Sequence, residues 1–153
     1  MILDASAKTE RLFLAMGAVA GFLSVALGAF GAHALYEKLP ADRLAIFETA
    51  TRYMGTHALA MIATGLLVTR RKGRAAPAAG WLFAIGLVVF CGSLLTLALT
   101  GARWWGAVTP FGGAAWLAAW ALLAFSSWRG RSQEIALDAA PVERREAASR
   151  FPE

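Results

Sequence analysis

The chain has 153 residues, of which 58% are hydrophobic and 16% charged, and a formal net charge of +5. Soluble domains carry about 25% charged residues, so this is the composition of one small domain lying almost wholly in a membrane. A basic balance suits nucleic-acid binding in general. Here, however, Lys and Arg cluster at the ends of apolar runs, as membrane anchors do, which excludes nucleic acid and makes the lipid bilayer the expected partner.

Residues 12–36, 54–69, 75–102 and 104–128 contain no Asp, Glu, Lys or Arg. A hydrocarbon core of about 30 Å takes roughly 20 helical residues to cross. Three runs meet that length outright. The second meets it only with a lead-in from Phe47 that places Glu48 and Arg52 at headgroup level. The expected fold is therefore all-α: a four-helix transmembrane bundle with short loops over residues 1–128, and a mobile charged C-terminal tail over 129–153.

Residues 1–10 form a short polar lead, and span one covers about 12–31. Ala32-His33-Ala34 has the form of a signal-peptide cleavage site. The apolar run before it exceeds the usual length of about 7–15 residues and three more spans follow, so it reads as a retained first span. Gly17, Gly21, Ser24, Gly28 and Gly31 are spaced 4, 3, 4 and 3 apart, which puts them on one helical face. In lipid such small-residue faces let helices pack closely. The stripe serves either packing within the bundle or contact with a second copy or a larger membrane assembly.

The connection over 32–43 ends with Pro40, placed to start a helix that deepens into span two, about 47–68. Glu48 and Arg52 stand four apart with the acid first, the favourable order for a helical ion pair of about 0.2–0.5 kcal/mol in water. Tyr53, His57 and Thr64 share the opposite face of that helix. A buried histidine beside a tyrosine suits proton relay or a polar cavity. The plainer reading is a neutral imidazole hydrogen-bonded to a neighbouring span. His33, at the end of span one, faces headgroups or water.

Arg70-Arg71-Lys72-Gly73-Arg74 is the densest basic cluster. Pro77 then opens span three, about 79–99, whose small and polar positions are Gly86, Ser93, Thr96 and Thr100. Cys91 is the only cysteine, so no disulfide forms within the chain, and a lone buried thiol behaves as a small hydrophobe. A turn over 100–108 carries Gly101, Arg103, Trp104 and Trp105. Thr109-Pro110 reads as N-cap and first helical residue of span four, about 110–128, with Gly113 or Ala114, Ala118 and Ala121 as its small face. Trp105 and Trp128 lie roughly 35 Å apart along a helix, matching one tryptophan at each bilayer interface. Trp81 is a similar anchor.

Eight Lys and Arg residues fall near the span ends on one side of the membrane, against three on the other, or four if Arg52 is added. Both termini are therefore expected to be cytoplasmic. The basic loop would also attract anionic lipid, at about 1 kcal/mol per charge, but topology already accounts for it.

The chain contains no cysteine pair, H-E-x-x-H, Walker sequence or G-x-S-x-G. Its two histidines lack intramembrane carboxylates and make a poor metal site. No catalytic, cofactor-binding or metal residue is expected. The expected function is a non-enzymatic accessory or scaffolding role exercised through helix packing. The alternative is a small-solute or proton conduit lined by Tyr53, His57 and Thr64.

Four local motifs occur in order. They are Gly28-Ala29-Phe30-Gly31-Ala32-His33-Ala34-Leu35, then Thr49-Ala50 with Arg52-Tyr53 and His57-Ala58-Leu59-Ala60. Gly92-Ser93-Leu94 with Leu97-Ala98-Leu99-Thr100-Gly101 follows, then Trp105-Gly106-Ala107 with Thr109-Pro110-Phe111-Gly112-Gly113. Together, over about residues 11–128, they resemble the small YgdD-like membrane proteins, a family that extends from bacteria to an animal transmembrane relative. Ala34 stands where that family is expected to carry Gly, and the charged tail is additional. The resemblance implies a four-span protein of the bacterial inner membrane. It supplies no activity, but it directs attention to His33 and His57, which lie inside its motifs.

Overall fold

The computed structural model describes residues 2–70 and 73–138, with side chains described over 5–70 and 73–126. All regular structure among the described residues is helical. Helix α1 (Ile2–Phe30) runs into a π-helical turn, Gly31–Leu35, and α2 (Ala41–Val68) returns antiparallel to it. Helix α3 (Ala75–Gly86), a π-helical turn (Leu87–Cys91) and α4 (Gly92–Thr100) follow one another without a break and form a single rod. A 3₁₀ turn (Arg103–Ala107) leads into α5 (Thr109–Asp138). The result is four long helices.

The element boundaries differ from the sequence expectation at both ends. The polar lead is already helical from Ile2. Helix α5 continues past residue 128 to Asp138, and the remainder of the tail, 139–153, lies outside the described residues, as do Arg71 and Lys72 of the basic loop.

Local chemistry sets the helix ends. Pro40 stands just before α2 with extended backbone (φ −57°, ψ 148°), and Pro77 falls in the first turn of α3, where an N–H has no intrahelical acceptor. Gly101 adopts φ +76°, a left-handed conformation that glycine tolerates without Cβ strain, and its N–H bonds the Leu97 carbonyl at 2.8 Å. Arg43, from the first turn of α2, completes that terminus. Its Nε donates to the Ala98 carbonyl at 2.7 Å and its Nη2 to the Leu99 carbonyl at 2.5 Å. A cation at the negative end of a helix also complements its dipole. Thr109 is not the free N-cap expected of it: α5 begins on this residue, directly out of the 3₁₀ turn. Its hydroxyl lies 2.8 Å from Ser93 Oγ and 3.3 Å from the Trp105 carbonyl, tying α5 to α4.

Three helical stretches are long and apolar enough to cross a membrane: Ala5–Leu35, Ala75–Thr100 and Arg103–Ser126. Helix α2 falls below that apolarity, and its position supplies the reason. It is the most enclosed helix, with α1 along one flank and the α3–α4 rod along the other, while α5 reaches it through the rings of Trp116 and Trp120. Its buried side includes Phe47, Met61 and Ala58, but also Thr51, His57 and Thr64. A helix shielded by its neighbours can carry polar groups that a lipid-facing helix cannot. The main core gathers Phe13, Met61, Phe83, Cys91, Trp116 and Ala119, and a smaller one at the other end joins Leu35, Leu44, Phe47 and Ala98.

Candidate functional site

The chemistry of the interior centres on His57. Its Nδ1 lies 2.8 Å from the Tyr53 carbonyl one turn earlier. A carbonyl oxygen only accepts, so Nδ1 carries the proton. In the neutral ring Nε2 then presents a lone pair, and Trp120 Nε1 donates to it across 3.4 Å. Both ring nitrogens are thus bonded within the protein. The imidazole lies flat on Trp116, with centroids 3.5 Å apart and planes 3° from parallel. Tyr53 faces the same indole at 5.9 Å, and Phe83 and Phe90 close the sides of the cluster.

Trp116 is buried, and its Nε1 donates to the Phe83 carbonyl at 3.2 Å. That carbonyl sits where α3 approaches the π-helical turn, a geometry that disturbs the regular ladder of backbone bonds. Two glycines make the approach feasible. A Cβ on Gly86 would overlap the Trp116 ring, and one on Gly112 would overlap the backbone of Phe90. Aromatic rings, a π turn and two missing Cβ atoms therefore fix the register of α2, α3 and α5 together.

The other residues singled out from the sequence are placed as follows. Tyr53 is half-exposed and belongs to the His57 cluster. Thr64 is fully buried, but its hydroxyl donates to the Ala60 carbonyl at 2.7 Å, and neither a hydrogen bond nor a ring contact joins it to His57. His33 is exposed in the π-helical turn after α1. Gly31, two residues before it, packs on Phe47, ten residues before His57, so the two histidines stand about 18 Å apart along the helix axes.

The small-residue stripe of α1 is largely taken up by α2. Gly17 lies against Ala58 and Ile62, Gly21 against Ala58, and Gly31 against Phe47. Ser24 Oγ donates to the Thr51 carbonyl at 2.8 Å and crowds Gly55. Gly28 alone of the five has nothing within 4 Å of where its Cβ would be.

Sequence reasoning missed Trp116, Trp120, Gly112 and Arg43. It treated tryptophans as interfacial anchors. The usable signal was their position: Trp116 and Trp120 stand four apart in the middle of an apolar run, where an indole N–H needs an acceptor. No group of three or more His, Cys, Asp or Glu side chains suited to a metal ion occurs among the described residues.

These features define a small all-helical integral membrane protein whose enclosed helix carries a hydrogen-bonded His–Trp centre. The chain belongs to the family described as "Protein of unknown function (DUF423)", which matches residues 27–113. It is 38% identical to a UPF0382 membrane protein of Staphylococcus saprophyticus, over 78% of this chain and 98% of that one. It is 40% identical to the UPF0382 inner membrane protein YgdD of Escherichia coli, over 75% of this chain and 88% of the relative. Identity to the membrane protein YwdK of Bacillus subtilis is 38%, over 74% and 93%. The resemblance read from the motifs holds, and the family description carries no activity. No solved structure matches the chain.

Proposed function

We propose that the chain is a four-span protein of the bacterial inner membrane with both termini cytoplasmic, acting as a non-enzymatic accessory or scaffolding component. The observation that carries this reading is the use of its interior polar groups. Among the described residues, no buried side-chain nitrogen or oxygen lacks a hydrogen-bond partner. A catalytic or transport site keeps polar groups available for substrate, whereas His57, Thr51, Thr64 and Ser93 are spent on the chain's own atoms. Such an interior holds helices in register. What remains for function is the outer surface.

Helix α2 counts as the fourth span because it lies antiparallel to α1 along its length, and short connections then carry the chain across the membrane each time. The YgdD relative's name as an inner membrane protein supports the location, and the excess of Lys and Arg at the 70–74 loop supports the orientation. Purification of the tagged chain from its native membrane in mild detergent tests the role. A stoichiometric companion or self-association is expected, and a solitary monomer would sink it. The conduit reading loses support from the bonding of both His57 nitrogens and of Thr64. A flux in proteoliposomes that disappears in His57→Ala would revive it.

A further inference from the structure

We infer that the outward stripe of α2 is a self-association surface, on which Glu48 of one copy pairs with Arg52 of a second copy and Arg52 with Glu48. The inference deepens the scaffolding proposal and rests on its placement of α2 in the membrane. Glu48, Arg52, Thr56, Leu59 and Ala63 recur every three or four residues and are all exposed, while Phe47, Thr51, His57, Ala58, Ala60 and Thr64 beside them are buried. The α1 stripe, which serves either packing within the bundle or a partner on sequence grounds, is largely taken up by α2. The α2 stripe is the face that α2's neighbours leave open.

Its chemistry is out of place against lipid. The Ser24–Thr51 hydrogen bond fixes α2 against α1 and sets Arg52 beside the middle of the first apolar span. Ser24 is eleven residues before Leu35, where that span ends, so Arg52 lies roughly 16 Å inside it. Glu48 lies about 6 Å nearer the boundary, close to the level where Gly31 meets Phe47. Neither side chain makes an ion pair with another described residue. A charge held at such depth is costly unless it is paired or reaches water.

The identity of the partner follows from symmetry. A two-fold interface brings the same patch of both copies together, with residue i on j and j on i. A patch holding one acid and one base, a helical turn apart, is its own complement under that operation. Side chains on a helix lean toward its N-terminus, so each Arg52 leans toward the level at which the other copy presents Glu48. The threonine and the small alanine along the same stripe let the two α2 helices come close.

The test uses the full chain in lipid vesicles, in a Cys91→Ser background with Thr56→Cys as the cross-linking position. Bis-maleimide should yield a covalent dimer. Glu48→Arg alone and Arg52→Glu alone should each lower that yield by about tenfold, the loss of roughly one decade in association constant. Co-expression of the two variants, one all basic and the other all acidic at these positions, should restore it as a mixed dimer. That recovery also shows that both variants fold. Persistence of the dimer in Glu48→Arg, failure of the mixed pair to recover, or a monomeric parent would overturn the inference. A water-soluble maleimide separates the two proposals: rapid labelling of Thr56→Cys removes α2 from the membrane, whereas a protected thiol with no dimer removes only the self-association.

Discussion

The contact between α1 and α2 and the contact of α5 with α2 and α3 join helices by opposite means. Along α1–α2 the side chains withdraw: Gly17 meets the backbone and side chain of the facing helix, and Gly55 lies under Ser24. The hydrogen bond from Ser24 to Thr51 across it uses a hydroxyl and a carbonyl. Along α5 the side chains are large and ring-shaped, and their N–H groups find acceptors at Phe83 and His57. Lipid tails are as apolar as the helices, so hydrophobic burial does not favour either contact over lipid. Close backbone approach serves one, and stacked aromatics with satisfied donors serve the other. The two contacts share α2, which explains why that helix mixes glycine, threonine and histidine.

The sharpest way to break one contact without the other is Trp116→Ala. It removes a buried indole, its stacking on His57 and its bond to the Phe83 carbonyl. A loss of about 3–5 kcal/mol is expected for truncating a buried tryptophan, measured by unfolding in lipid bicelles. The α1–α2 contact should survive. Its reporter is a Ser24→Cys, Gly55→Cys pair in a Cys91→Ser background. The two Cβ positions are 3.6 Å apart, within the roughly 3.5–4.5 Å that a disulfide needs. A disulfide that no longer forms in Trp116→Ala would show that the two contacts are one cooperative unit.

Next in size are the close approaches themselves. Gly112→Val would drive its side chain into the Phe90 backbone, and Gly17→Val would collide with the Ala58 carbonyl. Each should cost about 1–3 kcal/mol, the usual range for overpacking. If Gly17→Val proves much milder than Gly112→Val, α1 is the more loosely held helix. That ranking would follow from the unbroken α-helix of α1 against the π-turn seat of α5.

The His57–Trp120 bond is smaller and calls for a double-mutant cycle. His57→Phe keeps a ring on Trp116 but strips the acceptor, and Trp120→Phe strips the donor. Interhelical hydrogen bonds in membranes average about 0.6 kcal/mol and reach about 1.7, so a coupling in that range is expected. A coupling near zero would reduce the pair to stacking alone, leaving the aromatic contact no more polar than the glycine one.

The fold was legible because hydropathy and length are one-dimensional signals. Residues 12–36, 75–102 and 104–128 reveal themselves by their missing charges. The α1 stripe was legible too, since its spacing of three and four is a face wherever the helix points. What stayed hidden depends on rotation of one helix against another. Nothing in the spacing of Trp116 and Trp120 says that they turn toward His57, and nothing in Gly112 distinguishes it from Gly113. The π-helical turns were likewise invisible, because Leu87–Cys91 contains no proline or charge to announce a break in the ladder. In the sequence Arg43 is one cation among those that set topology, yet it ends a helix 55 residues away.

The smallest expected effect makes the finest distinction. Gly28 belongs to the same stripe as Gly17 and Gly31, yet a Cβ there would meet nothing within 4 Å. Gly28→Ala should therefore be neutral or stabilising, by up to about 0.5–1 kcal/mol, because alanine loses less backbone freedom in a helix. Gly17→Ala, one residue type and three turns away, should destabilise, since its new methyl falls 2.9 Å from the Ala58 carbonyl oxygen. Opposite signs from identical substitutions would show that the stripe works through individual contacts with α2. A Gly28→Ala that destabilises as Gly17→Ala does would mean that something outside this chain packs on Gly28. The open position would then mark where a partner helix sits on α1, and self-association through α2 would no longer be the first surface to test.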